Sequence, residues 1–312
     1  MTGVLLGLLC RAAVVLSGAA LATFALLWFA PGDPALAIAL ARYDALVTTE
    51  VVDLVRAESG LNQGFWGAFG DWVGPLLVGD FGYSSVSGRP VGPDLASAAA
   101  YTVPLAVAGL AVGLAMALPL AVLAARHPGS LLDRAAVAVA SLGAAIPAYW
   151  LGLLLILLFA VKLAWLPAMG VRTAAHAILP AVTLGLGVAA SLTRIIRSGI
   201  LEARLQPFLP AFERRGVAAR AIGRDHIAPH AAVPVVTVLG LELAFLLEGA
   251  VMIEVIFSRP GLGTFLVDAI EARDFPKVQA VVVLAAVLFV VINLLIDIFY
   301  RVIDPRMRAD NA

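Results

Sequence analysis

The chain has 312 residues, 62% of them hydrophobic and only 13% charged, with a mean hydropathy of +1.00. A soluble domain is about 45–50% apolar, so this composition excludes an ordinary water-soluble globule and places the chain in a membrane. The 21 basic and 21 acidic side chains cancel, which gives no support to nucleic-acid binding. One cysteine, Cys10, excludes an internal disulfide and a cysteine-based metal site.

In chain order, apolar runs at 12–30, 99–125, 136–161, 177–195, 233–257 and 278–300 are candidate spans. A helix needs roughly 20 residues to cross a bilayer core, whereas a barrel strand needs about 9–11, so runs of this length predict six transmembrane helices. The first run is longer than a secretory core of about 7–15 residues. It ends in Pro31-Gly32-Asp33-Pro34 rather than a cleavage site, so it is expected to be a retained helix. With the N-terminus placed inside, 13 of the 21 basic residues fall on the inner side and 8 on the outer, together with 11 of the 21 acids. The bias puts both termini in the cytoplasm.

The expected organisation is a cytoplasmic N-terminus with the first helix at 1–30, an extracytoplasmic cap at 31–97, a five-helix core at 98–300 and a cytoplasmic tail at 301–312. The cap, with Trp66 and Trp72, is too apolar for a disordered segment and is read as small and helical. Frequent Gly and Ala within the spans suit close helix packing in lipid, and simple compositional bias explains them equally well.

The core contains an Arg-rich polar loop at 196–232, bounded by apolar segments. It carries Gly216 and, ten residues on, His226, and Pro234 follows just past its end, eighteen residues after the glycine. The other inner loops are short, so this one is read as a docking surface for a cytosolic partner. Gly216 permits a sharp turn or close approach between two short helices, and Arg214, Arg215, Arg220 and Arg224 suit acidic partner edges or lipid headgroups. The same arginines also serve the inside-positive topology.

Several local patterns occur in a fixed order. They include Ala30-Pro31-Gly32-Asp33-Pro34, Gly79-Asp80-Phe81-Gly82-Tyr83-Ser84, Thr102-Val103-Pro104-Leu105, Ile146-Pro147-Ala148-Tyr149-Trp150 and Leu179-Pro180-Ala181. Gly249-Ala250-Val251, Glu254, Phe257, Pro260-Gly261-Leu262-Gly263 and Asp304-Pro305-Arg306 follow. In order and spacing the chain resembles the first permease subunit of the peptide/opine/nickel ABC importer family, over nearly its whole length. That resemblance implies an all-α, type I importer permease in a bacterial inner membrane. Its partners would be a second homologous permease, two ABC ATPases and an extracytoplasmic solute-binding protein, with membrane lipids around it. ATP and Mg would lie in the partners and no cofactor in this chain, which lacks a G-x-x-x-x-G-K-[ST] phosphate loop.

The resemblance also implies residue roles. The coupling segment at 205–230 would present Phe208, Phe212, Glu213, Arg214, Arg215, Gly216, Arg220 and His226 to the ATPase. Glu254, Pro260, Gly261 and Gly263 would form an outer gate or a structural element. The sequence departs from the family at Phe212, where a small residue is usual, so its ring is expected to fill a groove in the partner. Pro210 and His230 depart too.

His226 and His230, four apart, are read as solvated or hydrogen-bonding rather than metal ligands, since no third ligand is evident. Glu242, Glu248 and Glu254 recur every six residues. Six residues advance about 240° around a helix, so the three carboxylates point to three faces. Charge inside a membrane is costly and faces the bundle, water or a partner. Glu248 and Glu242 are therefore candidates for the translocation path, with Glu248 favouring a cationic group. Asp297 and Arg301 are expected to pair across one helical turn, and Asp304-Pro305-Arg306 to end the last helix. Two rivals compete. An ion-coupled secondary transporter would use Glu242 and Glu248. An intramembrane enzyme would need a nucleophile or metal constellation, and neither G-x-S-x-G nor H-E-x-x-H occurs.

Overall fold

The computed structural model describes residues 2–29, 31–43 and 47–303. Among these the chain is helical, with one isolated bridge between Tyr83 and Pro90. The helices are α1 (Thr2–Trp28), α2 (Pro34–Tyr43), α3 (Thr49–Glu58), α4 (Phe65–Leu76), α5 (Val91–Arg126), α6 (Leu131–Ala145) and α7 (Ala148–Leu155). They continue as α8 (Ile178–Arg204), α9 (Leu209–Arg214), α10 (Ala219–Ile222), α11 (Ala228–Ile256), α12 (Leu262–Glu271) and α13 (Phe275–Ile303). Five helices are long and apolar enough to cross a membrane, and the pair α6–α7 makes a sixth crossing if it counts as one span.

The chain forms two compact units. One runs up to Tyr101 and includes Pro260–Val291; the other is Thr102–Arg259 with the chain from Ile292 onward. In the first unit the expected cap region is helical. Helices α2 and α3 pack through Ala35, Ile38, Ala39 and Val55, with Phe275 against them. An ion pair from Arg56 to Asp33 of 2.6 Å fixes the entry to this pair. Asp274 is buried and accepts from the Ser84 hydroxyl and from the Ser85 N–H at 3.0 Å, while Lys277 Nζ stands 3.6 Å away. Rings of α1 and α4 form an aromatic mat: Phe24 stacks on Trp28 and Trp72, and meets Phe65 and Phe69 edge-on.

The second unit is built on α8. Its buried face carries Leu179, Leu184, Val188, Leu192 and Ile196, packed with Leu105, Leu246, Ile253 and Phe257. Lipid offers no hydrophobic driving force for helix association, so close packing and polar links must supply it. Gly109, Gly113 and Gly185 provide the closest approach. A Cβ on Gly113 would lie 2.6 Å from Val188 and 2.9 Å from the Gly185 carbonyl oxygen, and one on Gly185 would lie 2.9 Å from the Gly109 oxygen. Here the glycines are packing devices, which resolves the alternative of compositional bias at these positions. Asp133, at the start of α6, is 3% exposed and pairs in a fork with Arg197 of α8, at 2.7 Å from Nη2 to Oδ2. It also accepts from the Gly129 N–H at 2.8 Å.

The third predicted span is broken rather than one straight helix. The apolar run at 136–161 is two helices that bend by 100° at Ile146-Pro147, and α7 passes into a π-helical stretch at Ile156–Lys162. Pro147 has no N–H to continue the ladder, and it forces Ile146 into an extended conformation with ψ 124. Helix ends also differ. α5 begins at Val91, eight residues before the apolar run, because Val91, Leu95 and Ala98 share one buried face at helical spacing. α8 continues to Arg204, well past its apolar run, with Ile196, Gly199 and Ala203 buried while Arg204 is exposed.

Candidate functional site

The predicted coupling segment is a helix–turn–helix excursion between α8 and α11. α8 ends at Arg204, whose Nη1 donates to the Ala125 carbonyl of α5 at 2.6 Å. The six-residue α9 ends in a left-handed turn at Gly216, φ 74. The Val217 N–H returns to the Phe212 oxygen at 3.1 Å, closing the helix as a Schellman cap. A side chain at Gly216 would strain this turn, so glycine is required there. After α10, a π-helical stretch at Gly223–Ile227 runs into α11.

Four rings hold the excursion together. Phe208 and Phe212 lie one turn apart, as do His226 and His230. The Phe212 ring stacks on His226 with centroids 4.1 Å apart at 18°, and Phe208 lies 5.2 Å from His230. The His230 Nδ1 bonds the His226 carbonyl at 2.8 Å. The Phe212 ring is half-buried and packs on a histidine within the loop. Arg214 and Arg215 are exposed at the end of α9. Glu213 belongs to α9, and its side chain lies outside the described residues. Stacked aromatic pairs contribute about 0.5–1.5 kcal/mol. Phe212→Ala should therefore raise trypsin cleavage at Arg214 and Arg215 roughly three- to tenfold, while Phe212→Tyr leaves it unchanged. Equal cleavage of Phe212→Ala and the parent would show that the rings do not hold the loop.

On α11 the three acids do point three ways. Glu242 is half-buried and bonds Ser191 of α8. Glu254 is fully buried and accepts from the Thr102 hydroxyl at 2.5 Å. Glu248 is exposed. It sits in a stripe with Leu241, Phe245, Met252 and Val255, all between 45% and 64% exposed. The steps of four, three, four and three residues are those of a packing seam along one helix face.

Pro260, Gly261 and Gly263 lie in the other compact unit, where Gly261 caps α12 and both glycines are buried. Asp297 lies on α13, but the side chain of Arg301 falls outside the described residues, as do Asp304, Pro305 and Arg306. The Asp133–Arg197 and Ser84–Asp274 links were not legible beforehand. Their partners are 64 and 190 residues apart and no local pattern joins them.

Comparison with known proteins fits this architecture. The family described as binding-protein-dependent transport system inner membrane component matches residues 117–309. The glutathione transport system permease protein GsiC of Escherichia coli (strain K12) is 37% identical over 278 residues, covering 89% of this chain and 90% of that protein. Its counterpart in Shigella flexneri serotype 5b (strain 8401) is 36% identical over the same coverage. Among solved structures, the inward-facing MetNI methionine ABC transporter superposes with a TM-score of 0.57 at 21% identity, covering 67% of this chain and 96% of that one. An amino acid ABC transporter with histidines gives 0.53 at 19% identity, covering 67% and 94%. The chain is an all-α multi-pass inner-membrane protein with the type I importer fold, and it belongs to the permease subunits of binding-protein-dependent ABC importers.

Proposed function

We propose that this chain and a second, homologous permease together enclose the translocation path for short peptides, with metal chelates such as nickel complexes as the second substrate class. The observation that carries this reading is the exposed seam of α11 with Glu248 at its centre. A carboxylate in the middle of a span is too costly to face lipid. A second chain, or a water-filled path between two chains, must complete that face. The similarity to glutathione permeases supports a peptide, since glutathione is itself a short peptide bearing an ammonium group. Glu248 would attract that ammonium.

In this account both termini are cytoplasmic and the cap faces outward, where a solute-binding protein delivers substrate. Two ATPases grip the loop at 205–230, where Arg214, Arg215, Arg220 and Arg224 are all exposed. Their closure and opening on ATP and Mg moves α9 and α10. The rings of Phe208, Phe212, His226 and His230 make the loop stiff enough to transmit that motion to α8 and α11. No covalent chemistry takes place in this subunit.

The test is uptake by the whole importer in a strain lacking other peptide importers, with labelled glutathione, lysine-containing dipeptides, neutral dipeptides and nickel. Glu248→Gln should lower the preference for the cationic peptide over the neutral one about fivefold, as expected for one water-screened charge contact. Unchanged uptake and preference would remove Glu248 from the path.

A further inference from the structure

The arginines of the polar loop fall into two groups. Arg214 and Arg215 stand at the end of α9, whereas Arg220 and Arg224, exposed as well, line a cavity of about 1090 Å³ together with Arg126 and Arg204. The cavity lies between the ends of α5 and α8 and the segment from α9 to the start of α11. Among the described residues no Asp or Glu lines it. Arg224 is paired with Asp225 at 2.7 Å and Arg204 is tied to the Ala125 carbonyl, so Arg126 and Arg220 carry the least compensated charge. The remaining wall is apolar, with Val122 and Ile200 on the spanning helices and Leu209 and Ile222 on the loop.

We infer that this cavity is a binding site for an anionic phospholipid. Its phosphate would sit among Arg126, Arg204 and Arg220, and its acyl chains would run along Val122 and Ile200. Each half of the lining selects for one half of such a molecule. A free anion has no use for the apolar wall, and a neutral lipid has no use for the arginines. A basic pocket between helix ends at the membrane surface has the general chemistry of an anionic headgroup site. An acidic edge of a protein partner would find the same charge, but the cavity opens beside the ends of two spanning helices, where lipid is already present. The lipid would brace Arg220 and the turn into α10 against α5 and α8. The ATPase would be left Arg214 and Arg215, which do not line the cavity. Lipid binding here would be independent of the direction of transport and of the substrate.

The experiment is native mass spectrometry of the purified importer complex in nanodiscs that mix phosphatidylglycerol and phosphatidylcholine. The parent should retain phosphatidylglycerol selectively. Each exposed arginine near a membrane surface is worth about fivefold in anionic-lipid affinity, so Arg126→Gln with Arg220→Gln should cut retention on the order of twentyfold. Arg126→Lys with Arg220→Lys should restore most of it, which separates charge from misfolding. Inorganic phosphate, titrated alone, is the second probe. Displacement of the lipid by phosphate at about 1 mM would reassign the cavity to a free anion and overturn the proposal. Unchanged phosphatidylglycerol retention in the Gln variants would overturn it too, as would loss of ATPase subunits from those variants with lipid still bound.

Discussion

Gly113→Leu is expected to leave little folded protein in the membrane. The space it would enter is already filled: a first added carbon meets Val188 at 2.6 Å and the Gly185 carbonyl oxygen at 2.9 Å. A backbone oxygen cannot move aside as a side-chain tip can, so α5 and α8 must separate. Overpacking of a well-fitted core costs about 1–3 kcal/mol, and a bulky residue against backbone lies at or above the upper end. In lipid, lost packing is not repaid by burial elsewhere. Gly113→Ala should lower stability by about 1–3 kcal/mol and Gly113→Leu by more than about 3 kcal/mol. Gly187 lies in α8 with nothing within 4 Å of a built Cβ, and Gly187→Ala should be neutral or slightly stabilising. Thermal unfolding of the purified protein in mild detergent reads all three. Equal melting of Gly113→Leu and the parent would mean that α5 and α8 do not meet at these glycines.

The second large effect is expected at Asp133. Removing its carboxylate leaves Arg197 in a site where three quarters of its side chain is withdrawn from solvent, and frees the Gly129 N–H. Breaking a buried pair costs about 3–5 kcal/mol because the remaining charge is uncompensated. Arg197 retains some water, which places Asp133→Ala near about 3 kcal/mol. Asp133→Leu with Arg197→Met should recover much of that loss, because an apolar pair removes the stranded charge. The functional consequence follows from geometry. α8 is held to α6 by this fork and to α5 through Arg204, and it leads directly into the coupling segment. With α8 loosened, the whole importer should move less substrate per ATP hydrolysed by its partner ATPases. If Asp133→Ala melts with the parent, or if the double variant is worse than the single one, the fork is not what joins these helices.

Much of this arrangement was legible in the sequence because it rests on local rules. Long apolar runs gave the spans, and Gly216 gave the turn, since only a left-handed residue closes α9 there. The six-residue spacing of Glu242, Glu248 and Glu254 told correctly that they diverge. What was missed depends on distant parts of the chain. The break at Ile146-Pro147 was hidden because a proline within an apolar run is compatible with either a kinked span or two separate helices. The fork between Asp133 and Arg197 joins residues with no shared pattern. The stack of Phe212 on His226 is not legible in sequence, because the two lie on opposite sides of the turn and no local pattern joins them.

We propose that this permease works only with a second permease and with ATPases gripping its loop. The most direct test is purification of the tagged, full-length chain from its native membrane in gentle detergent, with mass spectrometry of what accompanies it and an ATPase assay on the eluate. The account predicts a second permease, ATPase subunits and ATP hydrolysis, with the ATPases lost when Arg214 and Arg215 are both replaced by glutamate. Recovery of the chain alone, together with uptake that follows an ion gradient and ignores ATP, would contradict it and point to an ion-coupled carrier built on Glu242 and Glu248.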